Sequence, residues 1–102
     1  MNTTKIMFRY VSYPDGDPEV LAIFPEIPAD DKGFYATCYA RIGQHSSCDV
    51  QGMIRISRPA TEAEYSSLLQ ELKSIGYDDL RIIRRTPAHA YRIRKAELAA
   101  WA

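Results

Sequence analysis

The stretch KIMFRYVSY-PDGDP-EVLAIF, residues 5–24, decides the fold class of this chain. Residues 5–13 are rich in aromatic and β-branched side chains whose alternation places them on two faces, as in a β-strand. Residues 14–18 interrupt the pattern, because proline presets a turn and Asp15-Gly16 tolerates a positive φ. Since residues 19–24 resume strand composition at once, the stretch predicts a β-hairpin.

The chain after the hairpin predicts a meander followed by a helix. Residues 34–42 predict a third strand, residues 43–51 a loop or short helical turn, and residues 53–57 a fourth strand. Thr61 and Glu64 form a capping-box pattern before an apolar stripe that ends near Gly76, which predicts an amphipathic helix.

Two further elements complete the expected order. Residues 80–85 predict another strand, and residues 96–101 a terminal helix that begins after Pro87. The order β-β-β-(β)-α-β-α predicts a single α+β domain over residues 1–102. We expect an antiparallel or mixed sheet of four to five strands with one main amphipathic helix on one face, which leaves the other face to solvent, a second subunit or a ligand.

Composition narrows the class of protein. Hydrophobic residues make up 46% and charged residues 25% of the 102 residues, which is ordinary globular usage. No run of about 18 apolar residues is present, so we expect no membrane partner. With no signal-peptide pattern at the start, we expect a cytoplasmic protein whose Cys38 and Cys48 are reduced.

Charge is balanced overall but unevenly distributed. The formal net charge is zero, which gives no global basicity of the kind that indicates nucleic-acid binding. Residues 13–31 contain six acids and no Lys or Arg, whereas residues 81–95 contain six bases and no acid. Either both segments are solvated surfaces, or one of them contacts a charged partner.

The segment of residues 43–49 gathers polar side chains that can bind a partner. It follows a predicted strand, and functional groups often lie at such positions. Aromatic rings and arginines on the neighbouring strands suit binding, because rigid amphipathic rings contact a partner at low entropic cost. The candidate partner-binding residues are Gln44, His45, Ser46, Asp49, Arg41 and Tyr39.

A small hydrolase or metal protein centred on His45 and Cys48 is a weaker alternative. A nucleophilic Cys48 or Ser46 needs a base at hydrogen-bond distance, which residues adjacent in sequence rarely supply. Zinc sites gather cysteines in close pairs, whereas Cys38, His45, Cys48 and His89 are spread along the chain. The five glycines are scattered and form no phosphate-binding loop. From these three observations together we expect no catalytic residue, no resident metal and no cofactor.

The basic segment supports a second alternative, a nucleic-acid-binding accessory factor. Residues 80–95 with the following residues 96–101 resemble the wing hairpin and closing helix of excisionase-like winged helix-turn-helix domains. The paired helices that would place a recognition helix in the major groove do not precede them, so the resemblance implies salt-sensitive phosphate contacts. The residues concerned are Arg81, Arg84, Arg85, Arg92, Arg94 and Lys95.

A wider resemblance covers most of the chain. It rests on Phe8-Arg9, Asp15-Gly16, Ile23-Phe24-Pro25, Gly43-Gln44-His45, Arg58-Pro59-Ala60-Thr61 with Glu64-Tyr65, and Leu72 to Tyr77 with Ile75-Gly76. In these residues the chain is similar to a family of small uncharacterised proteins of phages and mobile bacterial elements. The resemblance implies a non-enzymatic accessory protein that acts by binding, such as an inhibitor of host defence or a binder of a nucleotide signal. Its expected partner is a protein or small molecule, with a second copy of the chain as one candidate.

Overall fold

The computed structural model of the chain describes residues 3–40 and 44–101, with only the backbone of Gln44 and Trp101. In that part the strands are β1 (Thr4–Val11), β2 (Glu19–Pro28), β3 (Ala36–Ala40), β4 (Gln44–Cys48), β5 (Ser57–Pro59) and β6 (Leu80–Ile82). The helices are α1 (Val50–Arg55), α2 (Glu62–Ser74) and α3 (Ala90–Trp101). Strands gathered first and helices later confirm the predicted α+β class.

The described strands form one sheet in the order β4-β3-β2-β1-β5. The predicted hairpin is its centre, with Met7 opposite Ile23 and Val11 opposite Glu19. β3 and β4 continue the antiparallel meander beyond β2. On the other side of β1, β5 pairs antiparallel with its second half and β6 pairs parallel with its first half. β4 is therefore the outermost strand on one side.

Alternation along the strands gives the sheet two apolar faces. Phe8, Ala22, Tyr39 and His45 lie directly opposite one another in a row across four strands. The three members of this row on β1–β3 belong to a buried cluster that includes Leu68 and Leu72 of α2. The opposite face carries a second cluster, formed by Met7, Leu21, Ile23, Ala36, Cys38, Cys48 and Val50.

Helix α2 begins and ends at the residues that the sequence indicates. The Thr61 hydroxyl accepts a hydrogen bond from the Glu64 amide at 3.3 Å, and the Glu64 carboxylate accepts one from the Thr61 amide at 2.8 Å. This pair is the predicted capping box. Gly76 follows the helix with a φ of +120°, a conformation that disfavours other residues.

The region after β3 differs from the prediction. Of residues 43–51, where we expect a loop or short helical turn, residues 44–48 form strand β4 and residues 50–51 begin helix α1. The expected strand of residues 53–57 is mostly helix α1. Val50, Met53 and Ile54 pack against the second cluster at a helical spacing, so the apolar period here is that of a helix. α1 thus covers part of the sheet face that the sequence left without a partner. Among the described residues, no helix has the length and apolarity needed to cross a membrane.

Candidate binding surface at strand β4

Strand β4 lies at the edge of the sheet and pairs with β3 alone among the described residues. Its middle residues His45, Ser46 and Ser47 are exposed, whereas Cys48 is buried. An edge strand presents backbone N–H and C=O groups that no neighbouring strand satisfies, and such a row can pair with another chain. The polar composition of residues 44–47 suits a strand of which one side faces water.

His45 is held in place by two aromatic residues. Its Nε2 atom and the Tyr77 hydroxyl share a hydrogen bond of 2.8 Å. Its ring meets the edge of the Tyr39 ring with centroids 4.8 Å apart. Tyr77 is itself stacked on Phe24 of β2, with centroids 5.0 Å apart. An exposed imidazole at the sheet edge is therefore fixed by contacts to the core beneath it.

Tyr39 extends this arrangement to helix α2. Its hydroxyl donates a hydrogen bond to the Glu71 carboxylate. That hydrogen bond raises the pKa of Tyr39, and burial raises the pKa of Tyr77. Both phenols thus keep their protons at neutral pH. We call His45, Tyr39, Tyr77 and Glu71 the His45 cluster.

The cysteines lie on the opposite face of the sheet from the His45 cluster. Cys38 and Cys48 are buried free thiols, and the Cys38 sulfur lies 3.1 Å from the Ser46 hydroxyl. A hydrogen bond with Cys38 and burial raise the pKa of Cys48, which disfavours its thiolate. Because His45 and Cys48 are three residues apart in a strand, their side chains point to opposite faces. The structure does not bring together the two residues of the hydrolase alternative.

The described residues also include no assembled zinc site. His89 is exposed in the segment before α3, away from strand β4 in the chain. Within residues 3–40 and 44–101, no group of three or more His, Cys, Asp or Glu side chains is placed to hold a metal ion.

The other predicted partner-binding residues have mixed positions. Ser46 and Asp49 are exposed, and Asp49 precedes α1 without a side-chain capping bond. Tyr39 is only 3% exposed, so it supports His45 and offers little surface of its own. Gln44 begins β4, but its side chain is outside the described residues, and so is the whole of Arg41.

The basic segment divides into exposed and buried residues. Arg81, Arg84, Arg85, Arg92 and Lys95 are exposed. Arg94 is 6% exposed, and its Nε and Nη1 atoms donate to the carbonyls of Gly33 at 2.9 Å and Pro25 at 2.7 Å. Arg94 therefore joins α3 to the sheet, and it is no longer a candidate for contacting phosphate. Residues 80–95 form the short parallel strand β6, a connecting segment and the start of α3.

Sequence reasoning missed the residues that organise these surfaces. Glu71 and Tyr77 contact β3 and β4 from distant parts of the chain, and no local pattern indicated this. Arg9 is 6% exposed. Its alternation with the apolar Met7 and Val11 indicates an inward position in the strand, where an arginine needs buried partners. No protein-family model, curated protein sequence or solved structure matches the chain significantly.

Proposed function

We propose that this chain is a non-enzymatic binding protein that captures a protein partner through the edge of strand β4 and the His45 cluster. The observation that carries the proposal is the exposed His45 on an edge strand, fixed by Tyr77 and Tyr39. A fixed side chain loses little conformational entropy on binding, so it can contribute affinity.

Strand addition is the mode of capture that suits this edge. An extended segment of the partner would pair with the open side of β4, with backbone hydrogen bonds giving affinity and side chains giving selectivity. His45 and Ser47 lie on one face of the strand and Ser46 on the other, so the partner would meet polar groups on both faces. In the mobile-element setting that the resemblance implies, a host-defence protein is the first partner class to test.

The two histidines provide a matched test of the proposal. A tagged chain is used to capture and identify a partner from the host, and the purified partner is then titrated against wild type, His45→Ala and His89→Ala. We expect His45→Ala to weaken binding by about tenfold or more, the range of an interface hot spot. His89→Ala, which removes an exposed imidazole elsewhere, should bind as wild type. Equal affinity of all three proteins would remove His45 from the function.

Hydrogen exchange tests the mode of capture independently of His45. Amides on the open side of β4 have no strand partner among the described residues, so they should exchange quickly in the free protein. Partner binding should slow exchange within residues 44–48. Slowed exchange confined to another element would contradict strand addition.

A second copy of the chain is one occupant that this edge could accept. Two β4 strands related by a two-fold axis would extend the sheet across both subunits. Sedimentation over a range of concentrations measures this directly. A dimer that His45→Ala weakens and His89→Ala leaves intact would identify the partner as the chain itself.

The nucleic-acid alternative is supported by the exposed arginines of residues 81–92. Arg81, Arg84, Arg85 and Arg92 form no ion pair with a described residue, so their charges are available to phosphates. Binding of this type weakens steeply as salt rises. A fluorescent single-stranded oligonucleotide that stays unbound at low salt would exclude this alternative.

A further inference from the structure

A basic cavity lies between β1, β5, α1 and the segment that follows β6. Its volume is about 680 Å³, within the range of small-molecule sites. Three arginines line it, Arg9 from within the sheet and Arg84 and Arg85 from the segment after β6. No carboxylate of the described residues lines it. Gln51 and Thr86 add groups that form hydrogen bonds, and Ile54 and Pro59 add apolar surface.

Arg9 is the fixed element of this cavity. Its Nε donates to the Ser57 hydroxyl at 2.9 Å, and its Nη2 donates to the carbonyls of Ser57 at 2.8 Å and Ile54 at 3.3 Å. These bonds hold the guanidinium plane in one orientation. Among the described residues, Nη1 makes no hydrogen bond and Arg9 has no acidic partner.

A buried cation without a counter-ion is costly for a fold, because neutral dipoles replace only part of its hydration. Burial lowers the pKa of Arg9, which is the direction expected for a charge without an acidic neighbour. An anion in the cavity would supply the missing charge. The orientation of Arg9 is already fixed, so binding would require little reorganisation.

The adjoining cavity indicates what else such a ligand carries. It has a volume of about 450 Å³ and shares Pro59 and Arg84 with the basic cavity. Its walls combine apolar side chains with polar ones that include Thr61 and the Glu62 carboxylate, and they contain Tyr65, whose ring stacks on Phe8 with centroids 4.5 Å apart and planes 9° apart. Phe8 and Arg9 are neighbours on β1 and point to opposite faces, so the two cavities meet around the sheet edge at Pro59 and Arg84. A flat group with polar edges would contact Tyr65 and Thr61, while an attached phosphate reached Arg84 at the junction.

We propose that the two cavities form one site for a nucleoside phosphate, with the phosphate held by Arg9, Arg84 and Arg85 and the base and sugar lying toward Tyr65. Arginine suits this role because its planar guanidinium forms paired, charge-assisted hydrogen bonds with phosphate oxygens. The site lies apart from strand β4 and requires no partner protein.

Calorimetric titration of the full chain with ADP, GDP, CDP and UDP tests the site. We expect at least one of the four to bind, and the corresponding free nucleoside to bind more weakly by about tenfold or more because charge-assisted hydrogen bonds are lost. If none of the four binds at millimolar concentration, the proposal is wrong. If the nucleoside binds as tightly as its diphosphate, the arginines do not hold phosphate.

Matched arginine variants locate the site. Arg84→Gln and Arg85→Gln remove exposed side chains that make no hydrogen bond to a described residue, so both variants should fold. Each should weaken nucleotide binding by about tenfold, the effect of losing a charged hydrogen bond. Arg92→Gln makes the same charge change outside both cavities and should bind as wild type. Equal weakening by all three variants would indicate a general charge effect and overturn the site.

Two further titrations separate this proposal from the other functions. His45→Ala should bind the nucleotide as wild type does. The β4 proposal and the nucleotide proposal can therefore be refuted separately. The nucleotide site is refuted if an oligonucleotide binds while no free nucleotide does, and if Arg92→Gln weakens oligonucleotide binding as much as Arg84→Gln. The arginines would then contact nucleic acid.

Discussion

The Nε2 atom of His45 lies 2.8 Å from the hydroxyl of Tyr77, which ties the outermost strand of the sheet to the segment that follows helix α2. Phe24 of β2 stacks on Tyr77, so these contacts connect β4 to the centre of the sheet. Apart from this hydrogen bond, strand β4 is held by its pairing with β3 and by the packing of Cys48 in the second cluster. The histidine thus has a structural role as well as the binding role proposed for it.

Tyr77→Phe removes this hydrogen bond and keeps the stacking on Phe24. We expect the free energy of unfolding to fall by about 0.5–1.5 kcal/mol, the usual contribution of one hydrogen bond. Amide exchange within residues 44–48 should become faster in the folded protein. Tyr35→Phe is the control, because Tyr35 is exposed and its hydroxyl makes no hydrogen bond to a described residue. Equal effects of the two substitutions would mean that the tie does not stabilise β4.

Arg94→Met tests whether the buried arginine is structural. The substitution leaves the carbonyls of Gly33 and Pro25 without their donors, so we expect denaturant unfolding to show a loss of about 3 kcal/mol. Arg92→Met, on the exposed side of α3, should change stability by less than about 0.5 kcal/mol. If Arg94→Met lowers the free energy of unfolding by less than about 1 kcal/mol, both carbonyls accept hydrogen bonds from water instead.

The Glu64 carboxylate should make stability depend on pH below neutrality. Hydrogen bonds from Arg58, at 2.8 and 2.6 Å, and from the Thr61 amide lower the pKa of Glu64 to about 2. The unfolded chain then binds a proton at a higher pH than the folded chain does, so stability rises with pH through this window. The contribution of Glu64 should be complete above the unfolded pKa, about 4.3, and be lost as the pH falls toward that of the folded state.

Unfolding curves across the acid range measure this effect. Glu64→Gln should flatten the pH dependence of stability, because the amide does not titrate. Glu62→Gln, an exposed neighbour at the start of α2, should leave it as in wild type. Carboxyl resonances of Glu64 in NMR spectra give the folded pKa directly, and an unshifted titration would contradict the assigned hydrogen bonds.

The hairpin and the capped helix could be predicted from sequence because their signals are local. Residues 14–18 mark the turn, and Thr61 with Glu64 marks the helix start, so neither requires knowledge of distant contacts. Strand β4 had no such signal. An edge strand buries few side chains, so its residues lack the alternation of apolar and polar positions that identifies a half-buried strand.

The candidate sites depend on contacts that sequence order hides. Tyr77 reaches His45 only because α2 crosses the sheet, and Arg84 lines the same cavity as Arg9 only because β6 pairs parallel with β1. Residues 45–47 and 49 of the predicted polar segment are exposed, but the sequence did not indicate which of them would be anchored. Arg94 shows the converse, since the basic residues nearest to it in sequence, Arg92 and Lys95, are exposed and it is buried.

Two glycines allow backbone strain to be separated from steric crowding. A Cβ added at Gly76 or at Gly16 would meet nothing within 4 Å, so neither substitution creates a clash. They differ in conformation, because Gly76 has a φ of +120° and Gly16 is not among the glycines with positive φ. Gly76→Ala should therefore cost about 1–3 kcal/mol, the range for a residue held in a sparsely populated backbone region. Gly16→Ala should be neutral or slightly stabilising, because it restricts the unfolded chain. Unfolding of the two variants by denaturant gives the comparison, and equal stabilities would show that the turn after α2 relaxes without strain.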